Sequence, residues 1–247
     1  MNRLILAGFF LILTACAASV DTDPQSLVDQ SIKSHGFDRL TNKSISFKFR
    51  KKTYSVARKA DGYIYKRVFT DSLGTIVDEL KNSSELVRKV NGSTTSLNEK
   101  EVKIATEAVN SVLYFFQLPY GLNDAAVNKQ YAGEDEISGV KYHLVSVTFK
   151  QEGGGTDFQD EYMYWINQSD NTIDYLAYNY IVNEGGVRFR KAINRKTVDG
   201  LVFQDYINYK PADKKTPLKE LSKLYQENKL IELSRIIAED ISISGIR

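Results

Sequence analysis

Few side chains of this sequence could carry out chemistry, and their types and spacing do not form a familiar site. The chain has one cysteine and two histidines, His35 and His143. A single thiol excludes an intramolecular disulfide and a cysteine-based zinc site. One histidine ends a predicted helix and the other lies within a predicted strand, so neither belongs to an ordered Ser/His/Asp group. We therefore predict no catalytic residue, no metal site and no cofactor.

The acidic residues are the other candidates, because paired carboxylates can hydrolyse a glycosidic bond. Asp160 and Glu161 are adjacent in a predicted strand, and adjacent strand residues point to opposite faces of a sheet. The two carboxylates therefore cannot act on one substrate. No Gly-x-Ser-x-Gly, Walker or Gly-x-Gly-x-x-Gly motif occurs in the chain. A hydrolytic or glycan-binding module of the cell envelope is kept as an alternative interpretation.

The cysteine, Cys16, ends a segment that is typical of an export signal. Arg3 provides a positively charged start, and an apolar run covers positions 4–15. Such a run spans about 18 Å as a helix, which is too short for a hydrocarbon core of about 30 Å. The segment therefore predicts a signal peptide over residues 1–15 and not a transmembrane helix.

The residues around this cysteine resemble the lipobox of bacterial lipoproteins, since positions 13–16 read Leu-Thr-Ala-Cys. In that motif small residues precede a cysteine that is acylated and becomes the mature N-terminus. The resemblance implies lipidation of Cys16 and a tether over residues 16–23. It also implies a protein of the cell envelope that is anchored by lipid to the outer membrane, facing the periplasm or the exterior. Each buried methylene of an acyl chain would contribute about 0.8 kcal/mol to such an anchor.

The composition indicates a folded protein without a nucleic-acid partner. Thirty-three basic residues against 31 acidic ones leave a formal net charge of +2, which is too small for a strong basic field. Hydrophobic residues make up 42% of the chain, enough for a hydrophobic core.

From Ser44 to Lys210 the hydrophobic period is that of strands, with one helical interruption over residues 98–118. In the first strand Phe47 and Phe49 share a face. Short strands joined by tight turns pair as antiparallel neighbours, so the segment predicts a meander. In the second half apolar residues occupy both faces: Tyr162 and Tyr164 alternate with Met163 and Trp165. A sheet of this kind must be covered on both faces or must curl around something.

These patterns predict an α+β fold with a single domain over residues 24–247. The apolar residues that follow Pro217 keep helical spacing, so we predict a C-terminal helical extension with helices over residues 216–240 docked on the sheet. The run at 188–196 carries several arginines and lysines. Such a run usually forms a solvated face, although it could also contact lipid headgroups or an acidic partner.

The organisation of the chain resembles the LolA/LolB-like lipoprotein-carrier superfamily. The local residues that carry the resemblance are Phe-Phe-Gln-Leu-Pro-Tyr at 115–120 and the segment 131–142. Small uncharacterised lipoproteins of Bacteroidota are similar in length and pattern. The resemblance implies a curved antiparallel sheet, an incomplete β-barrel, with helices across its concave side and an apolar cavity between them.

The aromatic residues are the candidate ligand-binding set, although simple sheet packing would also explain them. If they face a concave cavity, they would hold an acyl chain, whereas an exposed platform would stack on a sugar. We therefore expect a non-enzymatic, lipid-anchored protein that binds a lipid or another apolar ligand; an accessory subunit with an outer-membrane protein partner is the alternative. The candidate residues are Phe47, Phe49, Phe116, Tyr162, Tyr164, Trp165 and Tyr175.

Overall fold

The computed structural model describes residues 22–153, 158–181 and 184–246. The predicted signal peptide, the lipobox with Cys16 and most of the tether lie outside the described residues. None of the helices among these residues combines the length and the hydrophobicity of a membrane-spanning segment.

The described residues form three α-helices and fourteen strands. The helices are α1 (Pro24–Ser34), α2 (Glu99–Phe116) and α3 (Leu221–Gln226). The first seven strands are β1 (Lys43–Phe49), β2 (Lys52–Lys59), β3 (Gly62–Asp71), β4 (Gly74–Lys81), β5 (Glu85–Val90), β6 (Ser93–Thr95) and β7 (Val127–Ile137). The others are β8 (Val140–Phe149), β9 (Tyr162–Asn167), β10 (Ile173–Tyr180), β11 (Gly186–Val198), β12 (Leu201–Lys210), β13 (Ile231–Ile236) and β14 (Glu239–Gly245).

The strands make two seven-stranded antiparallel sheets. The first sheet has the order β14-β1-β2-β3-β4-β5-β6, and the second has the order β13-β12-β11-β10-β9-β8-β7. Strands β13 and β14 are joined by two residues and lie at facing edges, while α2 connects the opposite edges through β6 and β7. The sheets are not closed into a barrel. The predicted α+β fold, a curved antiparallel sheet combined with helices, is confirmed.

The helix that interrupts the strands begins where its sequence predicts. Asn98 and Glu101 form a capping box: the Glu101 N–H donates to Asn98 Oδ1 at 3.0 Å, and the Asn98 N–H donates to Glu101 Oε2 at 2.9 Å. On the face of α2 that meets the sheets, Ala105, Val109 and Leu113 are buried. This face holds α2 against the inner side of the first sheet, where it contacts β2, β3 and β4.

The apolar residues on both faces of the second sheet belong to two separate clusters. On the inner face, Tyr164, Ile166 and Leu176 join a core shared with α1, α2 and the first sheet. On the outer face, Trp165 and Phe189 pack with Leu221 of α3 and its neighbours. The second sheet is therefore covered on both sides, as its sequence requires.

The C-terminal segment corrects the prediction of helices over residues 216–240. A 3-10 turn at Leu218–Glu220 and the short α3 are helical, but the residues after Asn228 form β13 and β14. Asn228 has a left-handed backbone (φ 54°) and ends the helix. The following β-branched residues then pair with β12 and β1, and Ile243 lies opposite Ile45. Strand pairing with two free sheet edges stabilises this segment more than the helix that the spacing of the leucines favours.

His35 ties the end of α1 to the second sheet. Its Nδ1–H donates to the Val202 carbonyl at 3.2 Å, and the Ile173 N–H donates to its Nε2 at 3.4 Å. The neutral imidazole satisfies both contacts. Burial lowers the pKa of His35 from 6.5 to about 4, although the hydrogen bond to Val202 partly opposes that effect.

Acid is therefore expected to destabilise the fold through His35. Between pH 6.5 and about 4 the unfolded chain binds a proton at this residue that the folded chain does not, so stability falls as the pH is lowered. At pH 4.5 the loss is about 2–3 kcal/mol relative to pH 7. Urea unfolding at the two pH values measures it. His35→Gln lacks the titrating group and should lose correspondingly less; an equal loss in both proteins would contradict the assignment.

Candidate functional site

A cavity of about 400 Å³ opens between the two sheets beside the C-terminal half of α2. Its walls come from β1, α2 and the inner face of β9 to β13. The apolar and aromatic part of the wall consists of Phe47, Phe49, Val112, Phe115, Phe116, Tyr162, Tyr178, Tyr180, Tyr206, Ile236 and Ala238. The polar part consists of Arg50, Ser111, Asp160, Arg188, Arg190, Gln204, Asn208 and Ser234.

Four of the predicted ligand-binding residues lie in this wall: Phe47, Phe49, Phe116 and Tyr162. The ring of Phe116 stacks between Phe47, at 3.6 Å between centroids, and Phe203 of the second sheet, at 5.0 Å. One side chain of α2 thus connects the two sheets at the base of the cavity. Burial raises the pKa of the Tyr162 phenol, so this hydroxyl stays neutral at physiological pH.

Tyr164 is on the same face but is fully buried in the core and is not part of the wall. Its ring stacks on that of Tyr162 at 6.2 Å between centroids. It therefore supports the wall from behind.

The structure places Trp165 and Tyr175 away from the cavity, contrary to the prediction. They are cross-strand partners on the outer face of the second sheet, because each strand alternates its faces and a bulge separates Ile173 from Tyr175. Trp165 Nε1–H donates to Asp135 Oδ2 at 2.7 Å, and Tyr175 contacts the ring of Tyr225 at 5.6 Å. Both are buried, so they provide no exposed platform for a sugar.

The basic run at 188–196 is divided between the two faces of β11 and does not form a single solvated surface. Arg188 and Arg190 point into the cavity. Lys191 points outward over the ring of Tyr225, and Arg195 pairs with Asp174. Strand alternation through Val187 and Phe189 is the sequence signal that could have separated these arginines from the rest.

Arg190 is the most buried cation of the cavity wall. The residue is 8% exposed, its guanidinium lies 4.0 Å from the centre of the Phe115 ring, and its Nη2 donates to Tyr178 Oη at 2.8 Å. Arg188 donates to the Val187 carbonyl at 2.9 Å and to the hydroxyl of Tyr180. The aromatic wall therefore carries two oriented guanidinium groups at one end.

Asp160 and Glu161 point to opposite faces, as predicted. Asp160 is buried in the cavity wall, whereas Glu161 is exposed and accepts from Asn179 Nδ2 at 3.2 Å. The paired-carboxylate geometry of a glycosidase is therefore not formed by these residues. Among the described residues no cluster of three His, Cys, Asp or Glu side chains is placed to hold a metal ion.

A second cavity, of about 600 Å³, lies on the other side of Phe115. Ser111, Phe115 and Tyr162 contribute to the walls of both cavities. The remaining wall comes from one face of α2 between Glu99 and Tyr114, from Leu97 in the loop before it, and from Ser83 and Phe149. The rings of Phe115 and Tyr162 thus separate two compartments along α2.

The fold is similar to several solved structures of low sequence identity. A DUF1329 family protein from Desulfovibrio piger has a TM-score of 0.52 at 10% identity, covering 90% of this chain and 92% of that one. A LolA superfamily protein from Nitrosomonas europaea has a TM-score of 0.48 at 13% identity (91% and 93% covered). A putative outer membrane lipoprotein-sorting protein domain from Vibrio parahaemolyticus has a TM-score of 0.48 at 6% identity (90% and 93% covered). At these identities the similarity concerns the fold alone.

A family model also matches most of the chain. It covers residues 4–238 and describes a family of unknown function, DUF6503. No curated protein matches the sequence.

Proposed function

The chain belongs to the DUF6503 family of unknown function, and we propose that it is a non-enzymatic, lipid-anchored protein of the cell envelope that binds a lipophilic ligand. The ligand, an acyl chain or a similar apolar group, would occupy the cavity between the two sheets. The cavity itself is the observation that carries the proposal. Its volume of about 400 Å³ falls within the range of about 300–1,000 Å³ that is usual for small-molecule sites.

The chemistry of the wall supports an apolar occupant. Phe49, Val112, Phe115 and Phe116 line the cavity and are only partly buried. A ligand that covers them removes apolar area from water, which is worth about 2.5 kcal/mol for every 100 Å². The aromatic rings are held by contacts with one another, so little side-chain freedom is lost on binding.

The place of the protein in the cell rests on its N-terminal residues. The apolar leader and the Leu-Thr-Ala-Cys tetrad support export and lipidation at Cys16. An acyl anchor would hold the body at the outer membrane, on the periplasmic or the exterior side. The cavity would then lie near the bilayer from which an apolar ligand could be taken.

Filling the cavity with a larger side chain tests this function. In the full chain carrying Cys16→Ser, which removes the acyl chains as competitors, the neutral apolar dye N-phenyl-1-naphthylamine is expected to bind with increased fluorescence. Val112→Trp places an indole in the cavity and should weaken dye binding at least about tenfold. Equilibrium fluorescence titration gives the dissociation constants.

Ile104→Trp is the matched control. It adds the same indole to the same helix, but Ile104 is 56% exposed and contributes to neither cavity wall. Its dye affinity should equal that of the parent protein. Unchanged binding in Val112→Trp, or no dye binding in the parent, would reject this cavity as the ligand site.

A further inference from the structure

A polar stripe crosses the aromatic wall of the cavity on three adjacent strands. Arg190 of β11 lies directly opposite Asn208 of β12, and Asn208 lies directly opposite Ser234 of β13. All three belong to the cavity wall. Directly opposed residues have Cβ atoms about 4.5–5.5 Å apart, so the three side chains can contact one small group.

Two atoms of this stripe are buried and have no hydrogen-bond partner among the described residues: Arg190 Nε and Asn208 Oδ1. Buried polar groups in native proteins are nearly always paired, because an unpaired group loses its hydration without compensation. The Arg190 guanidinium cannot turn freely to seek a partner, since Phe115 covers its face and Tyr178 accepts from its Nη2. An unpaired donor and an unpaired acceptor on neighbouring residues therefore point to a polar ligand group between them.

The charged side chains of the cavity wall indicate which charge this ligand group carries. Arg50, Arg188 and Arg190 contribute three guanidinium groups, and Asp160 contributes one carboxylate. Arg50 is exposed at the rim, where it lies 5.0 Å from the centre of the Phe49 ring, whereas Arg190 is 8% exposed. The excess of positive charge in a partly dry cavity favours an anion over a neutral or cationic group.

We propose that the ligand is a single-chain amphiphile with an anionic headgroup, a carboxylate or a phosphate monoester. This proposal rests on the proposed function and specifies its substrate class. One oxygen of the headgroup accepts from Arg190 Nε–H, and another accepts from the hydroxyl of Ser234. The chain lies along the aromatic part of the wall, against Phe47, Phe115 and Phe116. With the Asn208 amide oriented as in the structure, the protonated oxygen of a phosphate monoester also pairs with Asn208 Oδ1, which a carboxylate cannot do.

Three probes with the same hydrocarbon chain and different headgroups separate the contribution of the headgroup to binding from that of the hydrocarbon chain. Each of the three probes, hexadecyl phosphate, palmitate and hexadecanol, is titrated against the dye bound to the full chain carrying Cys16→Ser. The concentrations are kept low enough that each probe stays monomeric in solution. Palmitate is expected to displace the dye at a concentration about tenfold lower than hexadecanol does, because a charge-assisted hydrogen bond is added. Hexadecyl phosphate is expected to bind at least as tightly as palmitate. The tighter binder of hexadecyl phosphate and palmitate then shows whether the headgroup is a phosphate monoester or a carboxylate.

Arg190→Gln removes the guanidinium and should reduce the difference between palmitate and hexadecanol to less than about threefold. Arg235→Gln is the matched control: it removes the same charge from β13 beside Ser234, but Arg235 pairs with Glu232 and does not line the cavity. Arg235→Gln should keep the full preference of the parent protein for palmitate over hexadecanol. Equal binding of all three probes by the parent protein would overturn the anionic headgroup while leaving the proposed function intact. Failure of all three probes and of the dye would reject the proposed function itself.

Asn208→Leu provides a second test if Arg190→Gln does not fold. It replaces a buried, unpaired carbonyl oxygen by an apolar side chain, so the melting temperature of the ligand-free protein should rise. The advantage of hexadecyl phosphate over palmitate should disappear at the same time. A variant with lower thermal stability and an unchanged phosphate preference would show that Asn208 is structural and would overturn its role in the headgroup site.

Discussion

Replacing Asp78 by alanine is expected to lower the free energy of unfolding by about 3 kcal/mol, a value near the lower end for breaking a buried ion pair. Asp78 is fully buried on the inner face of the first sheet. It accepts hydrogen bonds from Arg67 Nε at 3.1 Å and from Arg88 Nε at 2.6 Å. Alanine would leave two guanidinium groups without their counter-charge. Arg88 is the more exposed of the two and can reach water, which limits the loss.

The protonation state of the Asp78 carboxylate depends on two opposed effects on its pKa. Burial raises the pKa of Asp78, but the hydrogen bonds from Arg88 and Arg67 lower it more, so the pKa lies below its usual range. The carboxylate is therefore ionised at neutral pH, and it holds β3, β4 and β5 together on the inner side of the first sheet. Urea unfolding followed by far-UV circular dichroism at pH 7 measures the loss.

Glu79→Ala provides the control on the adjacent residue. Glu79 points to the opposite face and pairs with Lys66 and Lys89 in a solvent-accessible setting, where such pairs are worth about 0–1 kcal/mol. Adding Arg67→Leu to Asp78→Ala should recover part of the stability, because one uncompensated buried charge is removed. A loss from Asp78→Ala no larger than that from Glu79→Ala would contradict the proposed importance of the network.

Much of the fold was predictable because its signals are local. An Asn-Gly pair favours a two-residue hairpin turn, and Asn91 and Gly92 have the positive φ angles that such a turn requires (49° and 87°). The capping box of Asn98 and Glu101 likewise depends on residues three positions apart. Antiparallel pairing of consecutive strands then follows from short connections.

The face that each aromatic residue occupies was only partly predictable. Alternation correctly separates Tyr164 from Trp165, but it does not say which face of the sheet is concave. That depends on where α3 docks, and α3 covers Trp165 and Tyr175 through contacts with residues far away in the chain. Phe47 and Phe49 share the inward face of β1, as strand alternation predicts, because this strand has one dominant apolar face.

The tail and the cavity arginines show a second limit of sequence patterns. The leucines after Pro217 keep helical spacing, yet β13 and β14 form because two sheet edges need partners. This pairing completes the cavity, since Ser234, Ile236 and Ala238 belong to its wall. Alternation along β11 separates Arg188 and Arg190 from Val187 and Phe189, but which of the two faces lines the cavity depends on the position of β11 between its neighbours.

Acylation of Cys16 is expected to depend completely on this residue. In cells supplied with an alkyne-labelled fatty acid, the parent chain should carry the label and Cys16→Ser should carry none, because the thiol is the nucleophile that forms the thioether. Mass spectrometry of the parent protein should show an N-terminus at Cys16 with added acyl mass. Cys16→Ser should retain Met1.

The sequence around the thiol provides the control for this last prediction. Thr22→Cys in the Cys16→Ser background restores a single thiol, but Asp21 then precedes it in place of a small residue. This variant should remain unlabelled, since the motif and not the thiol alone specifies acylation. A parent protein that retains Met1 and has no acyl mass would contradict the predicted lipid anchor. The cavity between the two sheets would be unaffected, because it lies within the described residues and involves none of the leader. The proposed membrane attachment and the proposed ligand binding thus depend on separate parts of the chain, and each can be tested without the other.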